Sequence, residues 1–66
     1  MDLAALNREI ISRGIKKGYI AKELNLSYTA LWNKLTGKYE FTVNEARDIK
    51  DILNLTDSEA QAIFFA

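Results

Sequence analysis

Between Lys17 and Lys38 the chain carries Tyr28, Thr29, Trp32, Asn33 and Thr36, side chains that hydrogen-bond and stack but do not break bonds. With Leu31 facing inward on a helix, Tyr28 lies at about 60°, Trp32 at about 100°, Thr36 at about 140°, Thr29 at about 160° and Asn33 at about 200°. One helix face therefore gathers a carboxamide, two hydroxyls and two aromatic rings with no acidic residue among them. Such a face suits a major groove. Asn33 can pair bidentately with adenine, Thr29 can bond a base or pack its methyl on thymine, and the rings of Tyr28 and Trp32 can cover thymine methyls or sugars. Trp32 has a second reading as a flank of the core packed on the next helix, and Tyr28 a similar one with its hydroxyl at the rim.

Charge follows the same segment. The chain is neutral overall, yet from residue 12 to residue 39 six basic side chains (Arg13, Lys16, Lys17, Lys22, Lys34 and Lys38) face the single acid Glu23, a local net charge of +5 against −5 elsewhere. A positive field on one side and an acidic remainder suit a protein that touches phosphates in one orientation. Lys17 and Gly18 open a helix, where free N–H groups favour an anion. Lys34, Thr36, Lys38 and Tyr39 lie near the end of the following helix, in reach of a strand flanking the groove.

Five helical segments position these residues. Leu3 to Arg13 has Asp2 as N-cap, an apolar stripe of Leu3, Leu6 and Ile10, and Gly14 as its stop. Lys17 to Leu24 carries Ile20, Ala21 and Leu24 on one face, followed by Asn25, which tolerates a left-handed turn. Ser27 caps Tyr28 to Thr36, with Leu31 and Leu35 inward and Gly37 as the stop. Thr42 and Glu45 are spaced as a capping box before a stripe expected to bury Val43, Ala46, Ile49, Ile52 and Leu53; Thr56 and Glu59 repeat the box before Ala60, Ile63 and Phe64. Only Tyr39 to Val43 has a strand-like ambiguity. The expectation is one all-α domain over residues 1–66, a compact five-helix helix-turn-helix with its motif at about 17–36.

Composition narrows the rest. The chain has 66 residues, near the lower limit for a fold held by an apolar core alone, and neither cysteine nor histidine. Disulfides, Cys/His zinc sites and triads built on His or Cys are excluded. No predicted cleft or nucleophile frames the carboxylates, so an enzyme is the weakest reading, and no metal, cofactor or small-molecule ligand is expected. The longest apolar run, Ala62 to Ala66, is far below the roughly 20 residues a membrane span needs. Asp2 stands where a secretion signal would be basic, which leads to the expectation of a soluble, cytoplasmic, nucleoid-associated protein without membrane contact.

The run IAKELNLSYTALWNKLTGK, residues 20–38, resembles the helix-turn-helix of the lambda-type repressor and Cro proteins, the XRE-like family, and the likeness extends loosely over nearly the whole chain. The resemblance implies base contacts at Tyr28, Thr29 and Asn33, and phosphate contacts at Lys17, Ser27 and Lys38. It departs from the family in Lys17 for a common Gln, Asn25 for the turn Gly, and Tyr28 for a polar base reader, so base specificity does not carry over. Ile10 and Leu35 occupy positions where many relatives bury an Arg–Glu pair; an apolar pair avoids the desolvation cost.

A domain of this size reads few base pairs, so a homodimer on a two-fold operator is expected. Ile63, Phe64 and Phe65 spread over about 200° of helix, wider than one core contact needs, and offer a dimer surface unless all three fold onto the core. The function implied is a compact sequence-specific regulator of double-stranded DNA, a Cro-like phage or mobile-element repressor. The alternative is an antitoxin-like or antirepressor module binding a protein through Tyr28, Trp32 and Tyr39.

Overall fold

In the computed structural model, which describes residues 1–66, five helices follow one another with no strand: α1 (Leu3–Ser12), α2 (Lys17–Glu23), α3 (Tyr28–Leu35), α4 (Val43–Leu53) and α5 (Asp57–Phe64). The starts are set by side chains. Asp2 accepts the Ala5 N–H, Ser27 the Ala30 N–H, and Thr42 and Thr56 each form a complete capping box with Glu45 and Glu59. Each box satisfies N–H groups that the first turn cannot bond within the helix. The expected ends of α1, α2 and α3 run one residue long, because Arg13, Leu24 and Thr36 are the C-caps.

Four helices stop in the same way. The residue after the last turn takes a positive φ, +66° at Gly14, 58° at Asn25, +88° at Gly37 and 54° at Asn54. The next N–H then reaches back five residues: Ile15 to Ile10, Leu26 to Ala21, Lys38 to Asn33 and Leu55 to Lys50. These are Schellman closures, in which the residue after the left-handed position usually drops onto the core. Ile15, Leu26 and Leu55 do so. Lys38, after α3, is exposed instead.

The core joins all five helices through Leu6, Ile10, Ile20, Ala21, Leu24, Leu31, Leu35, Ile49, Leu53, Ala60 and Ile63, with Leu55 from the α4–α5 link. No polar or charged residue is buried. Ile10 and Leu35 are both part of this core, so the helix pair is held there without any ionic desolvation cost. The Asn7 carboxamide donates to the carbonyls of Leu3 at 2.9 Å and Leu35 at 3.4 Å, tying α1 to the end of α3. Arg13 donates to the Leu53 carbonyl at 2.8 Å and to Glu59 at 3.0 Å, tying α1 to α4 and α5.

Val43 corrects the sequence reading. It is 76% exposed rather than part of the α4 stripe. Steps of three residues drift by about 60° each, so two steps back from Ile49 carry Val43 about 120° round the helix, onto its flank. The stretch before it, Tyr39 to Thr42, forms no strand pairing. No helix is long and apolar enough to cross a membrane.

Candidate nucleic-acid interface

The α2–α3 corner is built from its turn outward. Asn25 in the left-handed region reverses the chain after α2, and Leu26 and Ala21 are joined by a 2.8 Å backbone bond. The angle is held from inside by the buried Ile20, Ala21, Leu24 and Leu31 and the half-buried Leu26. Ser27 Oγ accepts the Ala30 N–H at 3.0 Å, which leaves its own proton free to donate to a ligand oxygen. With Leu31 and Leu35 buried, Tyr28, Thr29, Trp32 and Thr36 are exposed and Asn33 is half-buried.

Asn33 and Lys38 are fixed to one another through the backbone. The Asn33 carbonyl accepts both the Lys38 N–H at 2.8 Å and the Tyr39 N–H at 3.3 Å, while no hydrogen bond engages the Asn33 carboxamide. The carboxamide keeps its two donors and its acceptor for a ligand. The Lys38 ammonium stands 5.7 Å from the Tyr39 ring centroid.

Two expected phosphate ligands are otherwise engaged. Lys34 Nζ lies 2.5 Å from Glu45 Oε1, with only 15% of either side chain exposed, and 6.0 Å from the Phe41 ring centroid. Lys34 therefore joins α3 to α4 and does not project from the site. Thr36 Oγ1 donates back to the Trp32 carbonyl at 2.9 Å, the ordinary partner for a hydroxyl in a last turn, which removes the proton a phosphate oxygen needs. Arg13 is also neutralised, by Glu59 and, at 3.6 Å, by Glu9. The unpaired positive charge of this segment thus resides on Lys16, Lys17, Lys22 and Lys38, none of which has an acidic partner within ion-pair distance.

Electrostatic perturbation lies beside the face rather than on it. Partial burial raises the Glu45 pKa, but the Lys34 hydrogen bond, the Thr42 N–H and the Lys34 charge outweigh it and leave it below the usual carboxylate value. The Glu23 charge and its hydrogen bond from Tyr19 raise the Tyr19 phenol. Gly18 is exposed, and a Cβ there would meet nothing within 4 Å. Lys16 is the N-cap of α2 and provides no side-chain cap.

The structure brings together one pair that the sequence gave no reason to join: Lys17 Nζ stands 5.5 Å from the centroid of Trp32. Trp32 is 49% exposed, between the two readings of the sequence. Lys16 and Lys22 are visible in the sequence only as charge, and the structure adds that both are exposed and without an acidic partner.

Away from α3, the expected dimer residues divide. Ile63 is 3% exposed, because it points from α5 into the core, so it is withdrawn from any surface. Phe64 is half-buried against the core and Phe65, just past α5, is 83% exposed. Together with Met1, Phe41, Val43 and Ala46 they line an open groove of about 580 Å³ between α4 and α5.

No protein-family model matches this chain, and neither a curated protein nor a solved structure does. The geometry of the α2–α3 corner therefore carries the functional argument.

Proposed function

We propose that this chain is a sequence-specific double-stranded DNA-binding regulator, similar to the lambda-type repressor and Cro proteins, with α3 as the helix that enters the major groove. The observation that carries the reading is the end of α3. Of four helix closures of one type, three turn an apolar residue onto the core, and the one at α3 leaves Lys38 exposed, its backbone N–H bonded at 2.8 Å to the Asn33 carbonyl. An exposed cation there follows an unengaged carboxamide at the end of α3, an arrangement suited to one phosphate contact beside one base contact.

Tyr28, Thr29 and Asn33 are the base-facing set, and Ser27 and Lys38 the phosphate contacts at the two ends of α3. The exposed Gly18 and the unpaired Lys16, Lys17 and Lys22 flank them on the α2 side. The absence of any acid on the outer face of α3 favours a polyanion.

The partner in binding is a second copy of the chain on a two-fold operator. Phe65 is exposed at the α4–α5 groove that it helps to line, and a two-fold contact would set the two apolar surfaces against one another. A second reading, a protein-binding module, is favoured by the exposure of Tyr28, Trp32 and Tyr39 together.

The test is selection of bound duplexes from a random library at about 0.15 M salt. A two-fold motif with half-sites about one helical turn apart is the expected result. Recovery of nothing above background would overturn the DNA reading and move the aromatic face to a protein partner.

A further inference from the structure

We propose that Trp32 is a positioning residue for Lys17: its indole holds the Lys17 ammonium at the α2–α3 corner, so that the two side chains meet the DNA backbone as one unit. The inference rests on the DNA-binding reading and deepens it, by moving Trp32 from base contact to control of a phosphate contact.

Three observations support the pairing. Lys17 Nζ is 5.5 Å from the Trp32 ring centroid, within the range in which the negative face of an indole attracts a cation. Lys17 has no carboxylate within ion-pair distance, so nothing else explains the placement of its head. Lys17 is half-buried, whereas Lys16, Lys22 and Lys38 are exposed.

A free lysine must lose the rotamer freedom of four methylenes to meet a phosphate. Resting on the ring, Lys17 has already lost part of it before the ligand arrives, and the ring leaves its charge unneutralised. A carboxylate partner such as Glu45 gives Lys34 would hold the head equally well but cancel the charge. The indole is the partner that orders a cation and keeps it available to an anion.

The experiment has two readouts on the whole chain. In the free protein, Lys17 Hε protons should show an upfield ring-current shift by NMR, abolished in Trp32→Ala; an ordinary shift in the wild type overturns the pairing without touching the DNA reading. On the selected duplex, Lys17→Met should lower the slope of log affinity against log salt by about 1. Trp32→Ala should lower it similarly although it removes no charge, Trp32→Phe should restore most of it, and the double variant Lys17→Met/Trp32→Ala should lose no more than either alone. A wild-type slope in Trp32→Ala, or additive losses in the double variant, overturns the inference while DNA binding stands. A wild type that binds no duplex removes both.

Discussion

Glu45 Oε1 receives the Lys34 ammonium at 2.5 Å and the Thr42 N–H at 2.9 Å, so one oxygen both caps α4 and grips the last turn of α3. The angle of α3 against α4 is consequently held by an ion pair with little solvent around it. Replacing Lys34 by Met should cost about 1–2 kcal/mol of stability, read as a fall of roughly 5–15 °C in Tm for a domain of this size. With Lys34 held by Glu45, the salt slope of DNA binding should stay at its wild-type value; a slope reduced by about 1 would return Lys34 to the DNA interface.

Asn33→Ala and Lys38→Ala should separate reading from anchoring. Asn33→Ala should cost about 1–3 kcal/mol on the preferred site and relax preference at one base pair. Lys38→Ala should weaken all sequences alike and lower the salt slope by about 1. Competition binding with single-base operator variants distinguishes them, and unchanged discrimination in Asn33→Ala would remove Asn33 from the base-facing set.

Stability should fall on acidification and stay level near neutrality. The Thr56 N–H chiefly holds Glu59 below its ordinary pKa, against an opposing effect of burial and with help from the Thr56 hydroxyl and the Arg13 charge, and Glu45 is lowered as well. A depressed folded pKa contributes stability that is complete above the unfolded value of about 4.3 and disappears as pH drops through the folded one. With no histidine in the chain, no side chain of ordinary pKa titrates between about pH 5 and 8. Urea midpoints measured across pH 2–8 should be flat down to about pH 5 and then decline; in Glu45→Gln the decline should be shallower.

Gly18 occupies a helical position that its own fold does not require to be glycine, since φ is not positive and a Cβ meets no atom. Gly18→Ala should therefore raise stability by about 0.4–1 kcal/mol through the unfolded chain. On the proposed reading the same methyl faces the DNA backbone, so affinity should fall while Tm rises. Calorimetry and titration of one sample test both directions, and a variant that gains in both would show that nothing approaches Gly18 closely.

Phe65→Ala should leave the monomer fold nearly unchanged, because the ring is 83% exposed. If it seats in the groove of a second copy, affinity for a two-half-site operator should fall by about 2 kcal/mol, roughly thirtyfold, with half-site affinity unaltered. Equal affinity of both proteins for the full operator would exclude Phe65 from self-association.

The elements were legible wherever one residue and its near neighbours decide the outcome. Asp2, Ser27, Thr42 and Thr56 cap, and Asn25 turns, because a side-chain oxygen three residues from an N–H, or an Asn at positive φ, answers to local geometry. Val43 was misread because a three-residue step is not a full turn, and a terminal position inherits all the drift. Lys34 looked like a surface cation until α4 brought Glu45 beside it, eleven residues along the chain. The meeting of Lys17 with Trp32 depends on the angle of the turn between their helices, and no spacing rule encodes it. Ile63 and Phe65 were indistinguishable by type, and only the packing of α5 divides them.

The Asp2 N–H donates to the Ile63 carbonyl at 2.7 Å, which sets the start of α1 against the end of α5. The Arg13 clasp to Glu59 bridges the same two ends of the fold. Both contacts join residues far apart in the sequence, so they form only when the chain closes on itself, and a change in the last turn of α5 would be felt at the start of α1.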